Sequence, residues 1–140
     1  MRSTLRRSIR RPVLAAVLAA SLPAAGCDAF GPRHDTITIE VEASQGATVR
    51  LITSHDFTVA YSYELEREVF QLNESDTTWV AVPYEEDFGI TSSGRFYVRV
   101  AEAEVPEATV SLRVLLDGDP AYQHSSVLVG EGIQYYYRTR

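Results

Sequence analysis

The residue with the clearest chemistry in this chain is Cys27, the only cysteine among 140 residues. Its thiolate form is a strong nucleophile. A basic stretch, residues 1–12, holds five arginines and is followed by an apolar run, residues 13–22. The small residues Ala24, Ala25 and Gly26 directly precede the cysteine and would let a peptidase bring its catalytic groups close to the extended backbone. This order of basic, apolar and small residues is typical of a secretory signal peptide. We therefore predict that residues 1–26 are removed before Cys27.

The four residues Ala24-Ala25-Gly26-Cys27 resemble the bacterial lipobox. The resemblance implies that the Cys27 thiol carries a diacylglyceryl group and that its freed amino group takes a further acyl chain. Two or more acyl chains anchor a protein stably, whereas a single chain is marginal. We expect an exported, lipid-anchored protein on the extracytoplasmic side of a bacterial membrane, either the inner or the outer one. Residues 27–35 would be the lipidated N-terminus and a short tether.

Other interpretations of this N-terminal segment predict different products. Cys27 could be a buried free cysteine, because cysteine is among the most buried residue types. An ordinary signal peptidase could cut the leader, or Arg6-Arg7 could direct twin-arginine export. An uncleaved membrane anchor is disfavoured, because the apolar run is shorter than the ~20 residues that span a bilayer.

The charge of the chain argues against nucleic acid as a partner. All 19 acidic residues follow Cys27, whereas only 8 of the 13 arginines do, so the mature chain has a net charge of −11. Phosphate backbones need cationic neutralisation, which this negative chain does not offer.

With no second cysteine, the mature domain must fold by hydrophobic packing without an internal disulfide.

Alternating apolar and polar residues predict an all-β domain over residues 36–140. In the clearest strands, apolar side chains recur at every second position, as in residues 37–43 and 108–116. The predicted strands are residues 37–43, 48–53, 57–65, 77–82, 84–90, 95–101, 108–116, 126–129 and 133–138. Turns are predicted at residues 44–46, 73–76, 92–94 and 117–120 from their polar, glycine and proline content. Residues 63–70 could be either a strand hairpin or a short helical insert. Seven to nine short strands at this spacing favour an antiparallel, Ig-like β-sandwich.

The remaining side chains do not form a recognisable catalytic pattern. His34, His55 and His124 are widely spaced and lack the periodicity of metal ligands. The acidic groups at residues 85–87 and 117–119 do not reproduce an EF-hand loop, although each could donate oxygens to calcium. We expect no catalytic residue, no metal and no cofactor.

Tyrosine is the residue type that favours binding. The last strand carries Tyr135-Tyr136-Tyr137, so its rings point to both faces of a sheet. Exposed tyrosines are common in binding patches, because they combine rigid area with a polar hydroxyl. We take Tyr97, Tyr122 and Tyr136 as candidate partner-binding residues. The simpler interpretation is that these tyrosines are half-buried strand residues.

Three segments of the domain are similar to the MmpS-like family, small membrane proteins that accompany RND-type exporters. They are residues 37–42, residues 80–85 around Pro83, and the strand at 108–116 that runs into Asp117-Gly118. The resemblance implies a compact β-sandwich outside the membrane that assists a transporter. We therefore expect a non-catalytic binding or accessory module with an envelope or transporter protein as its partner. The alternative is a structural or protective envelope lipoprotein without a specific partner.

Overall fold

The computed structural model describes residues 33–139, which form two antiparallel four-stranded sheets packed face to face. The strands are β1 (Thr36–Ala43), β2 (Thr48–Ser62), β3 (Arg67–Ala81), β4 (Tyr84–Gly89), β5 (Arg95–Ala103), β6 (Thr109–Leu116), β7 (Asp119–Val127) and β8 (Ile133–Arg138). One sheet has the order β4-β1-β6-β7 and the other β3-β2-β5-β8. This confirms the predicted β-sandwich. The predicted signal peptide and Cys27 lie outside the described residues.

The core consists of the inward residues of both sheets, and it follows the period of two that the sequence shows. In β1 and β6 every second side chain is fully buried, and the outward ones are polar in most positions. The buried cluster is Ile37, Ile39, Val41, Val49, Leu51, Phe96, Val98, Val100, Val110, Leu112, Val114 and Ile133. Because all of these are aliphatic or aromatic, apolar burial is the main source of stability.

The β2–β3 hairpin is the most unusual element of the fold. Each of its strands has 15 residues, yet β2 pairs with β5 only from Val49 to Ser54. The rest of the hairpin, residues 56–74, extends beyond that pairing and is called the arm below. Its turn, residues 63–66, connects Ser62 to Arg67, so residues 63–70 belong to a strand hairpin and not to a helix.

Three of the sequence predictions are wrong in position. Residues 73–76 were predicted as a turn, but they lie inside β3. Residues 48–53 and 57–65 were predicted as separate strands, but most of them form the single strand β2. The turn predicted at 117–120 is limited to Asp117-Gly118, and β7 begins at Asp119.

The strand registers fix which loops lie at which end of the sandwich. Thr36, the first residue of β1, pairs with Gly89 at the end of β4, and Leu116 next to it pairs with Asp119 at the start of β7. β7 then runs to the opposite end, where Val127 pairs with Thr109. The chain therefore enters the domain at one end, and the β7–β8 loop starts at the other.

Within residues 33–139, no helix has the length and apolar character needed to cross a membrane.

Candidate functional site

A pair of β-bulges between β2 and β3 turns the arm toward the outer face of its own sheet. The register shifts between Thr53 and Asp56 and again between Asp56 and Phe57. The Ser54 hydroxyl accepts a hydrogen bond from the backbone N–H of Asp56 at 3.1 Å and donates to the carbonyl oxygen of Glu74. Bulges of this kind re-aim the side chains that follow them. Here they place Phe57 on the outer face, although its odd position matches the inward residues earlier in β2.

Four aromatic rings hold the arm against this outer face. Phe57 and Phe70 come from the arm, Tyr97 from β5 and Tyr136 from β8. The Phe70 ring lies 5.2 Å from the Tyr97 ring and 5.1 Å from the Tyr136 ring, centroid to centroid. Phe57 lies 5.8 Å from Tyr97. Ring pairs at these separations add to the apolar burial, so the cluster forms a second small core outside the sandwich.

Tyr97 does not form part of an exposed partner surface, which corrects the expectation from the sequence. Only 2% of the residue is exposed, because the arm covers it. Its hydroxyl donates to the Gln134 Oε1 atom at 3.0 Å, and burial raises the pKa of this phenol. The alternation in β5 correctly predicts that Tyr97 points away from the main core, but it gives no sign that a distant hairpin covers the outer face.

The other two candidate tyrosines are half-buried. The Tyr136 hydroxyl donates to the Glu68 Oε2 atom of the arm at 3.0 Å, and this hydrogen bond raises the pKa of the phenol. The Tyr122 ring lies 5.2 Å from the Tyr135 ring, and burial raises the Tyr122 pKa. Tyr97 and Tyr136 therefore position the arm, whereas Tyr122 of β7 packs against Tyr135 of β8, away from the arm.

An ion pair fixes the far part of the arm. The Arg67 guanidinium donates to both carboxylate oxygens of Glu131 in the β7–β8 loop, with 2.9 Å between Nη2 and Oε1. These hydrogen bonds hold the pKa of Glu131 below its usual range. Gly132 sets the loop in place, because its φ is +74° and an added Cβ would overlap the carbonyl oxygen of Val100. The loop backbone next to Glu131 therefore lies close against β5, which fixes the position of Glu131.

The turn of the arm exposes a group of large apolar side chains. Tyr61, Tyr63 and Leu65 have 54%, 87% and 53% of their surface exposed. The rings of Tyr61 and Tyr63 contact each other edge to face, with centroids 5.2 Å apart. Residues 61–66 are called the arm tip below. On the other side of the ion pair, Val129 is 79% exposed two residues before Glu131.

The arm tip was not predicted as a site from the sequence. Tyr61 and Tyr63 fit the alternation of an ordinary strand, which predicts one buried face. The signal that could have identified the tip is the high glutamate content of the same segment, with Glu64, Glu66 and Glu68 at every second position. A segment this rich in charged residues is seldom buried, so its apolar residues tend to be exposed.

The histidines do not come together. The His34 ring lies 2.9 Å from an Asp117 oxygen, His55 packs edge-on against Phe96, and His124 lies beside Tyr122. Within residues 33–139, no three His, Cys, Asp or Glu side chains are grouped so that they could hold a metal ion. The Asp117 carboxylate accepts hydrogen bonds from the backbone N–H groups of Asp35 and Thr36 at 3.0 and 2.9 Å.

Comparison with known proteins finds no match: no family model, curated protein or solved structure is similar to this chain.

Proposed function

We propose that this protein is a lipid-anchored extracytoplasmic binding or accessory module that contacts a partner through its arm tip. The observation that carries the proposal is the exposure of Tyr61, Tyr63 and Leu65 at the end of a hairpin that is held in place along its length. Single exposed apolar residues are ordinary on protein surfaces. Three of them on a positioned element are typical of an interaction site.

The way in which the arm is held supports a binding role. Its aromatic cluster and the Arg67–Glu131 ion pair fix the arm before any partner arrives. A surface that is already ordered loses less conformational entropy on binding. Tyrosine suits such a surface, since it presents a large rigid area with few rotatable bonds.

The position of the arm is compatible with an anchor at Cys27. The chain enters the sandwich at Thr36, and Glu131 lies in the loop that starts at the opposite end. A tether of nine residues, 27–35, keeps the Thr36 end near the membrane. With this anchor, the surface beside the Arg67–Glu131 pair lies away from the bilayer, where an envelope protein can contact it.

The resemblance to the MmpS-like family favours a membrane transport complex as the setting. Its segments at residues 37–42, 80–85 and 108–118 lie in β1, at the β3–β4 connection, and in β6 with the following turn, all outside the arm. These segments build the sandwich, and the arm is a separate feature that a partner could recognise. The competing proposal is a structural or protective envelope lipoprotein, which needs no partner at the arm tip.

The anchor is tested by intact mass spectrometry of protein expressed with its own leader and recovered from bacterial membranes. A mass that begins at Cys27 and includes acyl chains supports the proposal. The Cys27→Ser variant should lose the lipid and leave the membrane fraction. Continued partitioning of this variant into detergent would contradict the lipoprotein assignment.

The partner-binding role is tested by photo-crosslinking in intact cells. A benzophenone amino acid replaces Tyr63 in the arm tip or, as the matched control, Asp87 on the exposed outer side of β4. We expect a discrete product of higher mass from position 63 and none from position 87. No product from either position would favour the structural lipoprotein.

A further inference from the structure

The charges around the arm tip restrict what can bind its apolar side chains. Glu64 and Glu66 are exposed and alternate with Tyr63 and Leu65. The nearest cation in sequence is Arg67, and its charge is matched by Glu131 at 2.9 Å. The surface that meets a partner is therefore apolar and negatively charged.

A lipid bilayer is a poor match for this tip. Bacterial and other biological membranes that contain anionic lipids attract basic residues and repel acidic ones. Amphipathic elements that lie in the interface carry lysine or arginine on the polar side, whereas this tip carries Glu64 and Glu66. Aromatic exposure alone would suit the interface, but the charges oppose it.

A second copy of the chain is also a poor match. The mature chain has 19 acidic residues and only 8 arginines, so most surfaces of another copy repel the tip. Like charges placed together across an interface cost several kcal/mol. The partner that complements the tip is one that offers positive charge.

We infer, building on the proposed function, that the arm tip docks into an apolar pocket bordered by arginine or lysine on another envelope protein. Tyr63 and Leu65 supply the apolar contact, and Glu64 and Glu66 face the basic border. Complementary charge raises the association rate and excludes wrong partners more than it adds affinity. A few residues carry most of the binding energy of an interface, and tyrosine is enriched among them.

The test uses the lipidated protein in membranes of the bacterium that makes it, with the benzophenone amino acid at position 63. The double variant Glu64→Arg/Glu66→Arg is compared with Glu85→Arg/Glu107→Arg, which changes the net charge equally at exposed sites away from the arm. We expect the first variant to lower the crosslink yield by about tenfold and the second to leave it within about twofold. Raising the salt concentration from about 0.05 to 0.5 M should also lower the yield, since exposed charges are screened.

The crosslinked peptide is then sequenced by mass spectrometry. A partner peptide with arginine or lysine beside the modified apolar residue supports the inference. A crosslink to lipid, a crosslink to a second copy, or a yield that is equal in both double variants overturns it. The absence of any crosslink even without charge changes is a different outcome, because it overturns the proposed function itself.

Discussion

Arg67 and Glu131 are 64 residues apart in sequence, and their paired hydrogen bonds join the arm to the β7–β8 loop. Both side chains are about half exposed. Exposed ion pairs add little to global stability, but a two-point contact fixes orientation. The pair therefore serves to position the arm more than to stabilise the sandwich.

The Arg67→Gln variant should loosen the arm without unfolding the domain. We expect faster backbone hydrogen exchange in residues 67–74, because the arm then depends on its aromatic contacts alone. The melting temperature should change little. Arg138→Gln is a suitable control, since Arg138 is exposed at the end of β8. Unchanged exchange in the arm of the Arg67 variant would show that the ion pair does not position it.

Phe57→Ala should destabilise the protein by about 3 kcal/mol, because it removes a buried ring from the aromatic cluster. The variant also uncovers Tyr97, whose ring packs on Phe57. Urea unfolding measures the free-energy change, and Thr58→Ala, at the neighbouring exposed position, should change it by less than about 0.5 kcal/mol. Equal effects of the two substitutions would mean that the arm is not packed on the sheet.

Leu112→Asp should prevent folding, because it places an unpaired carboxylate in the main core between the two sheets. Leu112 is fully buried and pairs with Val41. Ser111→Asp replaces a half-buried serine and puts the same charge on the outer face of β6, so it should leave a folded protein. Circular dichroism and a cooperative urea transition distinguish the two. A cooperative transition for Leu112→Asp would contradict the inward facing of β6.

The central strands could be predicted because one of their faces is buried. β1 and β6 alternate between buried and more exposed side chains, and the same alternation is visible in the sequence. In β5 the predicted inward residues Phe96, Val98 and Val100 are buried, but Tyr97 on the outer face is buried as well. Burial selects the apolar residues, so the pattern and the structure share one cause. β8 was predicted with the observed ends, Ile133 and Arg138.

The edge strands and the arm could not be predicted in the same way. β3 is an edge strand with exposed or half-buried residues throughout, so its polar residues 73–76 have the composition of a turn. β7 is also an edge strand, and its Pro120 lies at a register shift opposite Leu115, a position where proline is tolerated. The arm depends on contacts between distant segments, such as Phe70 with Tyr136, and local periodicity contains no information about them.

The start of β1 should lose stability in acid through Asp117. The backbone N–H groups of Thr36 and Asp35 and the His34 ring hold the Asp117 pKa below its ordinary value of 3.8. The ionised carboxylate therefore stabilises the fold fully above that value, and the contribution is lost as the pH falls through the lower, folded-state pKa. Asn accepts the positive φ of this position, so Asp117→Asn is the matched variant.

At neutral pH the Asp117→Asn variant should be less stable than the unaltered protein. The difference should shrink as the pH is lowered past the Asp117 pKa, because both side chains are then uncharged. Urea unfolding at a series of pH values measures it. A difference that stays constant from neutral pH to strong acid would show that the charge of Asp117 does not hold the start of β1.

Gly132→Ala should both destabilise the domain and release the arm. Gly130→Ala should destabilise the domain only slightly and leave the arm in place. Both glycines have positive φ, +74° and +63°, so each alanine carries a backbone cost of about 1 kcal/mol. Only at Gly132 would the new Cβ also overlap the carbonyl of Val100, and no atom lies within 4 Å at Gly130. That overlap adds about 1–3 kcal/mol and moves the neighbouring Glu131 away from Arg67. Urea unfolding and hydrogen exchange in the arm, measured on both variants, separate the two effects. Unchanged exchange in a destabilised Gly132→Ala protein would mean that the arm does not depend on the position of this loop.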